Sequence, residues 1–122
     1  MDVMGFPATN DDPWPFPVAV CELENDKTDT RVAYSLWKVA CVRARLRVVF
    51  CYRPRQEEAR ELVGTVAQAV LNPLSPEERA SVKGDTLLVV GTRGVSESFP
   101  YGFFHAWRLN LNTGRFEPFS RS

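Results

Sequence analysis

The stretch that most constrains this chain is Leu46 to Tyr52, LRVVFCY, a run dominated by β-branched and aromatic residues and stopped by Pro54. Such a run reads as a strand buried on both faces. Upstream, VAVCELE from Val18 to Glu24 places Val18, Val20, Glu22 and Glu24 on one side and Ala19, Cys21 and Leu23 on the other, which is the period of a second strand. Between them, Asp29 or Thr30 can cap a helix over 31–44, in which Val32, Leu36, Val39 and Ala40 form an apolar arc opposite Arg31, Tyr34, Lys38 and Arg45. Strand, helix and strand at this spacing imply a right-handed parallel crossover.

The remainder extends that unit. A second amphipathic helix is predicted over 55–71, with Ala59, Leu62, Val63, Val66 and Val70 inward and Pro73 beyond its end. Ser75-Pro76-Glu77-Glu78 has the order of an N-cap, a first-turn proline and two acids, so a short third helix should follow. Gly84-Asp85 then turns into the buried strand TLLVVG. Phe103, His105, Trp107, Leu109 and Leu111 alternate on one face of a final hairpin, whose turn is Asn112-Thr113-Gly114 and whose last strand is Arg115 to Phe119. Ahead of everything, 1–4 suits a short strand. Residues 5–17, with four prolines, suit a loop or arm, and 120–122 a frayed end. The expected fold is one three-layer α/β domain over 1–122, its mixed sheet parallel at the centre and ending in an antiparallel hairpin.

Size and charge narrow what such a domain does. At 122 residues, folding would bury roughly two-thirds of the unfolded surface, enough for one core. Fifteen basic residues balance fifteen acidic ones, so nucleic acid or an anionic membrane would have to be met by a local patch. Cys21, Cys41 and Cys51 are odd in number and each lies in an apolar run, which reads as buried free thiols in a reducing compartment. No stretch approaches the roughly 18 apolar residues of a membrane span, and the cytoplasm is the expected location.

The chemistry concentrates at the end of the first strand. Glu22 and Glu24 project from one face about 7 Å apart, at the rim beyond the carboxyl end of a parallel strand, where α/β folds bind ligands. Two carboxylates so placed favour a hard cation such as Mg²⁺ or Mn²⁺. The plainer alternative is a structural role, with the acids solvated or paired to Arg47 and Arg53 of the next strand.

The string VAVCELEN, the helix containing SLWKVA and the strand LRVVFCYR together resemble the PD-(D/E)xK nuclease-like superfamily over 2–53. The resemblance implies metal-dependent phosphodiester hydrolysis in DNA or RNA. It makes Asp2 the hairpin aspartate and Glu22 the glutamate of the triplet. Glu24 then stands where a lysine is usual, and Lys38 on the following helix is the candidate to replace that lysine. Asp2, Glu22 and Glu24 would be the metal ligands, Asn25 would orient the third of them, and Glu22, Glu24 and Lys38 would carry catalysis. The triplet departs from the family pattern, and little chain precedes Asp2 to supply the elements that open this fold.

Arg43, Arg45, Arg47, Arg53 and Arg55 gather around the second strand and could meet a phosphate backbone, or serve as ordinary solvated charges. His105, the single histidine, sits in an apolar row and reads as a core or half-buried residue. The cysteines and His105 lack the close paired spacing of a zinc site. Gly91 to Gly94, GTRG, lacks the lysine and helix of a P-loop and reads as a turn. The aromatic segment 99–104 with Trp107 suits hairpin packing on the second helix, or a protein-partner surface. The rival to a nuclease is therefore a non-catalytic binding or regulatory module of a defence, immunity or phage type, on the same scaffold.

Overall fold

In the computed structural model, which describes residues 2–8, 13–25, 28–93 and 103–119, the three central strands turn alternate residues toward the same helices. The elements run β1 (Val3–Gly5), β2 (Ala19–Leu23), α1 (Asp29–Ala40), β3 (Leu46–Arg53), α2 (Gln56–Val70), α3 (Pro76–Ala80), β4 (Asp85–Thr92), β5 (Phe104–Asn110) and β6 (Arg115–Phe119). They build one six-stranded sheet whose spatial order is the chain order. β2, β3 and β4 are parallel, while β1 and the β5–β6 hairpin are antiparallel. The α/β class, the parallel centre and the terminal hairpin are as the sequence implies.

The layering differs from the expectation. Val20, Val49, Cys51, Leu88, Val90 and Trp107 share one core with Val32, Leu36 and Val39 of α1 and Ala59, Leu62, Val63 and Val66 of α2. Both long helices therefore cover the same face, and among the described residues the molecule has two layers, not three. The reason is topological. Both crossovers move one strand in the same direction, and with the same hand, right-handed by the general rule, they bring their helices to one side; a helix on each face needs the strand order to reverse. The opposite face, carrying Val48, Phe50, Tyr52, Leu87 and Val89, is half-buried rather than buried. β3 thus alternates strictly between helix side and open side instead of being buried on both.

Local chemistry sets the element ends. Thr28, not Asp29 or Thr30, caps α1, its side chain accepting from the Arg31 amide, and the helix closes at Ala40, four residues before the predicted end. Ser75 and Glu78 form the reciprocal capping box of α3, with Pro76 in its first turn. Gly84 has φ +88, and a Cβ there would lie 2.5 Å from the Arg45 carbonyl oxygen, so only glycine lets β4 enter beside β3. Gly91 is a strand residue of β4 rather than part of a turn, and the rings of Tyr52 and Phe103 lie where its Cβ would be. Gly94, the segment 99–101 and residues 120–122 lie outside the described residues.

The hairpin seats Trp107 in the main core, while Leu109 joins Ala67 of α2 and Leu71 at its C-cap in a second, smaller one. His105 is half-buried, its ring tilted against Trp107 at 6.3 Å. Of the thiols, all free, only Cys51 is buried; Cys21 is half-buried and Cys41 exposed, because Cys41 follows Tyr34 and Lys38 on the outer side of α1. No described helix is long and apolar enough to cross a membrane.

Candidate functional site

The alternation of β2 that buries Val20 also turns Glu22 under α1, where it is only 4% exposed. A buried carboxylate needs a cation or hydrogen-bond donors. Lys38 supplies the cation: its Nζ lies 2.8 Å from Glu22 Oε1. The lysine, which the helical wheel assigned to the polar arc, reaches back to the strand end. Its ammonium also lies 5.3 Å from the centre of the Tyr34 ring. Contact with Glu22 holds Lys38 above its ordinary range.

Asp2 arrives from the opposite edge. Val3 pairs with Cys21 in antiparallel register, so Asp2 falls opposite Glu22. Its Oδ2 accepts the Leu23 amide at 2.7 Å. That bond, followed by the approach of Glu22 and the charge of Lys38, holds the Asp2 carboxyl below its usual value. Asp2 just before β1, Glu22 of β2 and Lys38 of α1 meet at the carboxyl end of the first parallel strand. Two carboxylates in mutual hydrogen-bonding reach repel unless a proton or cation is shared. Oxygen donors in that relation suit a hard divalent ion.

Glu24 takes a different part. It continues the Glu22 face beyond the end of β2, and its Oε2 accepts the Ser35 hydroxyl at 3.2 Å. Among the described residues no three acids, histidines or cysteines gather in a metal-holding group, so Asp2, Glu22 and Glu24 do not form a three-carboxylate cluster. Asn25 lines a separate cleft of about 380 Å³ with Asp29, Tyr52, Arg53, Glu58 and Arg93.

The five arginines do not act as one patch. Arg47 and Arg53 face the helices and are buried, whereas Arg43 and Arg45 lie before β3 and Arg55 after it. Neither buried arginine pairs with Glu22 or Glu24. Arg47 donates to the Val39 and Val42 carbonyls at the end of α1 and to the Lys83 carbonyl. Arg53 donates to Asp29 at 2.8 Å and to the Tyr52 carbonyl. Arg55 pairs with Glu58. The sequence reading missed Ser35, whose signal was its three-residue spacing from Lys38 on one helix, and Asp29, which it read only as a cap.

Compared with protein-family models, curated proteins and solved structures, the chain matches none of them.

Proposed function

We propose that the Asp2, Glu22 and Lys38 cluster is the centre of a divalent-cation-dependent site of the nuclease-like class, acting on phosphodiester bonds of DNA or RNA. The observation that supports this reading is the meeting of two carboxylates and one ammonium from three separate elements at the rim of the parallel sheet. Asp2 and Glu22 would hold Mg²⁺ or Mn²⁺, which when bound supplies charge neutralisation at phosphate and a more acidic water.

The chain's own groups have distinct tasks. The Leu23 amide fixes the Asp2 carboxylate through Oδ2. Glu22, held in a buried setting, orients Lys38, whose side chain remains 36% exposed. The ammonium has three N–H donors, so those not spent on Glu22 can hold an attacking water or a phosphate oxygen. Ser35 keeps Glu24 turned toward α1.

A second reading has its own support. The direct contact of Lys38 with Glu22 and the lack of a three-acid group among the described residues suit a structural ion pair in a non-catalytic binding module.

Calorimetric titration of Mn²⁺ into the wild type and into Glu22→Gln separates the two. The catalytic reading expects one saturable site that Glu22→Gln loses, with cleavage of a labelled oligonucleotide lost in Lys38→Gln. Absence of saturable binding in the wild type, or equal binding in both proteins, leaves the binding module.

A further inference from the structure

At the far end of the same strands from Glu22, an open groove of about 1060 Å³ is lined by Arg43, Arg45, Arg47 and Lys83 and, among the described residues, by no acid. In a chain with fifteen charges of each sign this is a marked local segregation. Arg43, Arg45 and Lys83 are exposed, and none of them makes an ion pair with a described carboxylate. Arg47 is buried behind them, and its guanidinium is met by backbone carbonyls alone.

Among the described residues, the groups that could offset this charge do not cancel it. The α1 carboxyl end is equivalent to roughly half a negative charge, and Arg47 already faces it. Asp85 falls on the other side of the sheet by alternation, since its neighbour Thr86 is the buried residue. Glu77 and Glu78 of α3 do not line the groove. The wall also carries Phe16, 60% exposed, with the Arg43 guanidinium 4.8 Å from its ring centre. A ring beside cations that track an open groove is the pairing that stacks bases and grips phosphates in single strands.

We infer that this groove binds single-stranded nucleic acid, with Arg43, Arg45 and Lys83 on its phosphates and a base on Phe16. The surface shares no residue with the Asp2, Glu22 and Lys38 cluster, so it stands whether or not that cluster is catalytic.

The test is fluorescence anisotropy with a labelled oligo-dT in low salt and EDTA, using the wild type, Glu22→Gln, the triple variant Arg43→Glu/Arg45→Glu/Lys83→Glu, and Arg60→Glu as a charge control. Binding should persist in Glu22→Gln and Arg60→Glu and weaken at least about tenfold in the triple variant. Its logarithmic salt slope should be about −2, from three phosphate contacts at roughly −0.7 each. Should the triple variant not fold, amide shift changes in the titrated wild type must centre on residues 43–45 and 83–84. Absence of binding, equal binding by the folded triple variant, shifts centred on the open sheet face, or capture of phosphatidylserine vesicles but not the oligonucleotide would each overturn the proposal. Failure of the metal titration with retained oligonucleotide binding would reject the catalytic reading and leave this one standing.

Discussion

Arg47 and Arg53 stand on the same face of β3, both buried, yet they are satisfied by opposite kinds of partner. Arg47 binds the carbonyls at the carboxyl end of α1, where the helix dipole favours a cation. Arg53 binds Asp29, the first residue of the same helix, where the dipole favours an anion. Six strand residues span about 20 Å, and the twelve-residue helix is about 18 Å long. The strand therefore clamps its crossover helix at both ends. What differs is solvent: Arg47 is itself only 2% exposed, at the back of the basic groove, while Asp29 is 43% exposed. Equal burial of two arginines does not make their contacts equal.

The sharpest way to break this comparison is Arg47→Met. It would take the guanidinium from the Val42 and Lys83 carbonyls, Val39 keeping the Val42 amide, and cost about 2 kcal/mol, as acceptors left unpaired do. Urea unfolding should show a lower midpoint with an unchanged slope. A loss below about 1 kcal/mol would mean that water from the groove replaces the guanidinium.

Asp29→Ala should cost less, about 1 kcal/mol, because water can reach the Arg53 guanidinium once the carboxylate is gone. If the two variants lose equal stability, the asymmetry between the ends is wrong.

Cys51 lies between the two arginines on the same face, and burial pushes its thiol up to about 12. Exposed Cys41 should react with a disulfide reagent at neutral pH, and Cys51 only when the structure opens. Arg47→Met should speed Cys51 labelling more than Asp29→Ala does. Rapid labelling of Cys51 in the native wild type would show that the strand is not closed between its clamps.

The smallest expected effect is at the β1 edge. Asp2 titrates below its ordinary 3.8, so its contribution is present above that value and fades as pH falls toward the folded-state pKa. Lys38 has the opposite sign: raised above 10.5, it contributes at neutral pH and loses that contribution as pH rises beyond that value. Amide exchange at Leu23 should therefore accelerate in acid, and less so in Asp2→Asn. Exchange independent of pH after correction for its intrinsic rate would disconnect Asp2 from β2.

Much of this is legible in the sequence. The period of VAVCELE turned Glu22 and Glu24 to one side, the apolar run from Leu46 marked β3, and Ser75-Pro76-Glu77-Glu78 announced a capped helix that the structure builds. These features follow from neighbours a few residues apart. The burial of Cys51 but not Cys41 follows the same way, from alternation in β3 and from the helical period that sets Cys41 seven residues after exposed Tyr34.

By itself, then, the sequence determined the order and kind of the elements, the parallel crossover and the acidic end of β2, because alternation, helical period and capping are local. Only the tertiary structure decided that both helices share one face, that Lys38 leaves the polar arc for Glu22, and that five neighbouring arginines separate into two clamps, a surface ion pair and the wall of a basic groove. Those outcomes depend on how a helix rotates and how far it reaches over a sheet, which is set by packing between segments distant in the chain.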